Sequence, residues 1–158
     1  HTIKQTAIVD QNLANWTQSI DSYRPGRTAL LVQHCHGAPG IITTLGDLLD
    51  GSDSEFDELL LKAGELIWAA GPLLKGPGLC HGTSGNGYAF LKLFEKTQDQ
   101  KWLERARTFA MIAISQSLTL KEKSGQLKYA LWDGDIGVAL FIQSCINGDA
   151  DFPTLNVF

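Results

Sequence analysis

The stretch Gly78-Leu79-Cys80-His81-Gly82-Thr83-Ser84-Gly85-Asn86-Gly87-Tyr88 decides how the rest of the chain is read. It sets a thiol beside an imidazole in a glycine-rich turn, and an apolar run, Ala89-Phe90-Leu91-Lys92-Leu93-Phe94, follows at once. Upstream, His34-Cys35-His36-Gly37-Ala38-Pro39-Gly40 has the same form and leads into Ile41-Ile42. A third glycine turn, Trp132-Asp133-Gly134-Asp135-Ile136-Gly137, opens the apolar segment from Val138 to Ile146. Gly-x-x-Gly thus recurs at Gly37/Gly40, Gly82/Gly85 and Gly134/Gly137, with a step of 45 residues from Gly37 to Gly82 and of 52 from Gly82 to Gly134. Recurrence at this period marks an internal structural repeat.

The segments between the turns say what repeats. After the first, Ile41, Ile42, Leu45, Leu48 and Leu49 form a nearly all-apolar helix, with Pro39 in its first turn. Asp50 to Ser54 is a loop that caps the next helix, where Phe56, Leu59, Leu60, Ala63, Leu66, Ile67 and Ala70 share one face. Gly71-Pro72 ends it. The second turn is followed by an apolar helix from about Ser84 to Phe94 and a loop at Thr97-Gln98-Asp99. An amphipathic helix then carries Trp102, Leu103, Ala106, Phe109 and Ala110, with Lys101, Glu104, Arg105 and Arg107 outside. Residues 119–128 read as a polar loop, and the apolar tail from Asp151 to Phe158 is expected to dock on the body. Residues 6–23 read as a further helix, with Leu13, Trp16, Ile20 and Tyr23 on one face, broken at Pro25-Gly26.

Helices that are apolar all round belong inside, and amphipathic ones outside. Alternating the two gives an all-α fold, an α/α toroid of inner and outer helices with its Gly turns at one end of the inner ring. About three hairpins do not close such a ring. The chain is then an open arc, part of a larger protein, or closed by association.

Length and composition set the outer bounds. The 158 residues read as a single domain, 1–158, of ordinary globular composition, 44% hydrophobic and 19% charged. A net charge of -4 without a Lys/Arg block argues against nucleic acid, and no apolar run is long enough to span a membrane. No basic start and apolar stretch of a signal peptide is visible, and the missing initial Met points to processing, a tag remnant or a piece of a longer chain. Three cysteines cannot all pair, so a reducing, cytoplasmic setting is expected.

The two thiol turns hold two of the three cysteines and three of the four histidines. A single buried Cys is most often a small core residue, but the pair of turns together points to metal. Cys35, Cys80 and His81 supply two soft sulfurs and one imidazole, a set that suits Zn2+ and leaves a fourth position open, as catalytic zinc requires. Adjacent Cys80 and His81 reach one ion only from an irregular turn, which the flanking glycines permit. His36 is the rival imidazole, and spacing does not choose between them. His34 reads as a neighbour and Cys145 as an inert core thiol. Two thiolates leave the ion little residual charge, which favours activating a thiol over acting as a Lewis acid.

These turns, read in order from about Thr28, resemble the C-terminal two-fifths of the LanC and LanC-like (lanthionine synthetase C-like) family. The resemblance implies an α/α toroid and one zinc on Cys35, Cys80 and His81. His34 departs from the Trp usual in that family. The resemblance further implies addition of a Cys or glutathione thiol to dehydroamino acids in a peptide or protein, giving a thioether. It places Lys75 and Lys123 as substrate-binding residues. The family's acid/base His and Asp belong to earlier repeats, so the catalytic residues stay unassigned here. The alternative is a non-catalytic zinc- or glutathione-binding module. Two remoter readings are a zinc prenyltransferase-like toroid, which fits the turns worse, and glycines and thiols serving packing alone.

Overall fold

The computed structural model describes residues 1–18 and 30–156. The element order is α1 (Thr2–Thr6), β1 (Ala7–Asp10), β2 (Leu13–Trp16), α2 (Ala38–Leu45) with a 3-10 turn Gly46–Leu48, α3 (Ser54–Ala70), α4 (Thr83–Thr97), α5 (Gln100–Ser124) and α6 (Asp135–Asn147). The fold is a partial helical toroid with one small hairpin. Among the described residues no helix is long and apolar enough to cross a membrane.

α4 is the axis. Every residue from Thr83 to Leu93 is buried, because α4 packs against α2 and α6 along the inner row and against α3 and α5 outside. The outer helices are amphipathic, as their periodicity predicts: α3 turns Phe56, Leu59, Leu60, Ala63 and Ile67 inward, and α5 turns Trp102, Leu103, Ala106, Phe109 and Ala110 inward. Phe90 sits between them, edge-on to Phe109 at 5.1 Å and stacked with Trp102 at 6.0 Å. Such pairs add about 0.5–1.5 kcal/mol each beyond area burial. Asp53 caps α3 by accepting from the Phe56 amide, and Asp99 caps α5 by accepting from Lys101.

The glycine repeat has one physical cause. A Cβ on Gly40, Gly85 or Gly137 would land on the carbonyl oxygen of His34, Leu79 or Leu131, in each case six residues upstream. The first glycine of each pair is crowded as well, by the backbone of Leu31, of Gly78 and Gly76, and of Lys128. Each inner helix therefore begins with its backbone pressed against the loop that feeds it.

Four expectations need correction. Residues 7–16 form an antiparallel hairpin, not a helix, with Asp10 opposite Leu13 and Gln11 in the left-handed region at φ 53°. β-branched Ile8 and Val9 favour extension, and the strand buries Ala14, Asn15 and Trp16 together against α3, which a helical face could not do. The rest of that expected helix, with Ile20, Tyr23 and the break at Pro25-Gly26, lies outside the described residues. α5 extends through Ser124, so only the end of 119–128 is loop; Lys121 and Lys123 occupy its last turn, where cations suit the helix dipole. α2 stops at Leu45 and passes into the 3-10 turn Gly46–Leu48, where Gly46 lies directly under the Lys92 side chain and Leu48 is left exposed. Arg105, expected outside, is partly buried: it lies over the Trp68 and Trp102 rings and pairs with Glu65 at 2.9 Å.

Candidate metal centre and cavity

The three Gly turns meet at one end of the inner helices through main-chain bonds. The Cys35 amide donates to the Cys80 carbonyl at 3.1 Å, joining the first turn to the second. The amides of Leu79 and Cys80 both donate to the Trp132 carbonyl at 2.8 Å, joining the second to the third. The first-turn amides of α4 are occupied as well: Thr83, Ser84 and Gly85 donate to Gly76, Pro77 and Gly78. These bonds fold residues 76–82 into the irregular turn that lets adjacent Cys80 and His81 face one point.

The result is a cluster. Sγ of Cys35, Sγ of Cys80 and a ring nitrogen of His81 all lie within 4.8 Å of one another. Ligand atoms about 2.0–2.3 Å from a shared tetrahedral zinc sit roughly 3.5–4 Å apart, so the donor set fits the ion in both chemistry and spacing. His36 is exposed and outside this cluster. His34 turns the other way: its ring stacks on Phe152 at 4.2 Å, and its Nδ1 lies 3.1 Å from Thr43 Oγ1. The Thr43 hydroxyl also lies 2.8 Å from the Pro39 carbonyl, so ring, hydroxyl and helix backbone are joined. Burial lowers the His34 pKa to about 4 and keeps the ring neutral. Burial raises the Cys80 thiol above its ordinary value; the Cys35 sulfur and then Asp133 add to this, and Lys75 opposes it. Cys145 is buried in α6, with a pKa pushed by desolvation to about 12.

Beside the cluster lies a cavity of about 590 Å³. His81 opens into it, and Lys75, Lys121 and Lys123 line it with Trp132 and Leu120. Both lysines singled out in the sequence, Lys75 and Lys123, thus face one space next to the thiols. A cavity of this size suits a small peptide-sized ligand. Its carboxylates are engaged: Asp133 pairs with Lys128, which holds its carboxyl below the usual range, and Asp135 accepts from Ser117 and from the Lys128 amide. Asp133 and Asp135 therefore fasten the third turn, and α6 starts from Gly134 as its N-cap without a side-chain cap. Tyr88 and Asn86 are structural too. Tyr88 Oη lies 3.2 Å from Ser144 Oγ, and Asn86 Nδ2 donates to the Val32 carbonyl at 2.9 Å.

One residue of the site gave no sequence signal. Gln33, 6% exposed, donates from Nε2 to Cys35 Sγ at 3.1 Å and accepts at Oε1 from Lys75 Nζ at 2.7 Å. Its partner Lys75 is 42 residues away, beyond any local pattern.

A family model described as Lanthionine synthetase C-like protein matches residues 2–157. The chain is 37% identical over 130 residues to "Glutathione S-transferase LANCL1" of Danio rerio, covering 81% of this chain and 32% of that protein. It is 36% identical over 129 residues to "LanC-like protein GCL1" of Arabidopsis thaliana, covering 78% of this chain and 30% of that one. The chain spans about a third of the length of these relatives.

Proposed function

Because this chain belongs to the lanthionine synthetase C-like family, we propose that it activates a thiol, with glutathione or a peptide cysteine as the thiol and a dehydroamino acid in a peptide or protein as the acceptor. The observation that carries this reading is the convergence of Cys35, Cys80 and His81 within 4.8 Å beside a lysine-lined cavity. The relative from Danio rerio, called a glutathione S-transferase, supports the thiol assignment.

Cys35, Cys80 and His81 would hold Zn2+, which would bind an incoming thiol as its thiolate near neutral pH and leave the sulfur nucleophilic. The protein's own residues do the rest. Lys75 and Lys123 face the carboxylates of a thiol peptide from opposite chain segments, and Lys121 adds a third positive charge. Trp132, 41% exposed, gives an apolar wall along the cavity. In the overall reaction the thiol sulfur bonds to the β-carbon of the acceptor, and the α-carbon gains a proton. The cavity carboxylates, Asp133 and Asp135, both have partners already, so neither is assigned as the source of that proton.

That last point supports a second reading, a glutathione-binding module without turnover. The two separate cleanly by experiment. Metal analysis of the purified protein should give one zinc per chain, lost in Cys80→Ala. With zinc confirmed, glutathione binding measured by calorimetry, weakened in Lys75→Met and Lys123→Met, supports the cavity assignment. Product formation from a dehydroalanine peptide decides between catalysis and binding alone. A zinc-free, folded protein would overturn the metal assignment.

A further inference from the structure

The Gln33 amide is the only side-chain group seen to link a cavity lysine to a cluster sulfur among the described residues. Its orientation is fixed by chemistry. An ammonium group only donates, so the amide oxygen must face Lys75 and the NH2 must face Cys35. Cys35 Sγ is therefore the acceptor of the 3.1 Å bond. The backbone of Gln33 is pinned as well: its amide donates to the His36 carbonyl at 3.1 Å, and its carbonyl accepts from the His36 amide at 3.0 Å. The amide thus spans Lys75, on the loop before the second turn, and Cys35, on the first.

Three consequences follow from this placement. The bond from Nε2 fixes the direction of Cys35 Sγ toward Cys80 and His81. Donation to a sulfur draws charge from it, which eases the crowding of two thiolates on one ion. The 2.7 Å bond from the Lys75 ammonium polarises the amide and strengthens its N–H as a donor, as linked hydrogen bonds do. We propose that Gln33 is a positioning residue of the metal centre, holding the Cys35 sulfur in place and transmitting the charge of Lys75 to it. This rests on the metal reading above. It also gives Lys75 a role besides contact with substrate, since its ammonium retains two further N–H groups for a ligand.

The test is a cobalt(II) titration of the intact protein, followed by the thiolate-to-cobalt charge-transfer absorption. Gln33→Leu removes both bonds and should weaken Co2+ binding about ten- to a hundredfold, the usual effect of losing an outer-shell partner. It should also move the charge-transfer band to lower energy, a shift that a general loss of stability would not produce. Gln33→Glu keeps size and the Lys75 contact but offers Cys35 no amide donor, and should lose at least as much affinity. Lys75→Met should move the band in the same direction by less, and add nothing in the Gln33→Leu background. If Gln33→Leu fails to fold, Gln33→Glu and Lys75→Met carry the comparison. An unshifted band with affinity within about twofold in the Gln33 variants overturns the positioning role while leaving the metal centre standing. Additive effects of Lys75 and Gln33 overturn the relay. A wild-type protein with no thiolate-to-cobalt band removes the metal centre and this inference together.

Discussion

The amide of Cys35 donates to the carbonyl of Cys80 at 3.1 Å, so the two thiols that belong to different helical hairpins share one hydrogen-bonded strap. Their sulfurs lie within 4.8 Å, while the third thiol, Cys145, is buried in α6. In the metal-free protein a two-electron azo oxidant such as diamide should therefore join Cys35 to Cys80, taking up both thiol hydrogens. Peptide mapping should find that bridge, with Cys145 alkylated only after denaturation. Oxidation should abolish zinc binding, and dithiothreitol should restore it. A bridge that includes Cys145 would contradict the placement of all three.

The glycines differ in what they forbid. Gly85 faces the Leu79 carbonyl so closely that an added methyl must displace backbone, whereas Gly125 ends α5 at φ 79° with nothing within 4 Å of an added Cβ. Gly85→Ala should cost at least about 2 kcal/mol and disturb the second turn. Gly125→Ala meets only left-handed strain, about 1 kcal/mol. Urea unfolding compares them. Equal costs would mean that the close approach of α4 to its feeding loop is not what selects glycine.

This contrast shows what was legible. Gly40, Gly85 and Gly137 answer to one local rule, a carbonyl six residues back, so the repeat and the inner helices could be read directly. Cys35, Cys80 and His81 were legible because their turns repeat. His81 and His36 were not separable by spacing; the fold separates them by turning Cys80 and His81 toward Cys35 and leaving His36 outside the cluster. The hairpin at residues 7–16 escaped because Leu13 and Trp16 satisfy a helical period, while the choice is made by burial of Ala14 and Asn15 against distant segments. Gln33 escaped for the same reason.

Asn15 makes that long-range choice testable. Its Oδ1 accepts from the Ala38 amide at 2.9 Å and its Nδ2 donates to the Leu31 carbonyl at 3.2 Å. It thereby serves as a remote cap for α2, whose own N-cap, Gly37, has no side chain to offer. Asn15→Ala should cost about 1–2 kcal/mol and weaken metal binding through the Cys35 turn. Hydrogen exchange at Ala38 should accelerate. An Ala38 amide as protected as in the parent would mean another group caps the helix.

The strongest pH dependence should lie on the alkaline side, in the contact between α4 and α6. Desolvation by burial raises Tyr88 from 10.0 to about 12 and Cys145 from 9.0 to about 12. Both are neutral in the folded protein and become anions on ionising, so a raised folded pKa means that the folded state holds its proton longer than the unfolded chain. Stability contributed by these groups is intact below pH 9 and falls as pH rises, because the unfolded state releases protons first. By pH 12 the loss is on the order of 5 kcal/mol. Urea midpoints measured from pH 7 to 11 should decline from about pH 9 onward. In Cys145→Ala the onset attributable to these two groups should move to about pH 10, the ordinary Tyr value. A decline between pH 9 and 10 as steep as in the parent, where only the raised Cys80 thiol should remain, would show that Cys145 ionises as readily folded as unfolded, and so is not sealed within α6.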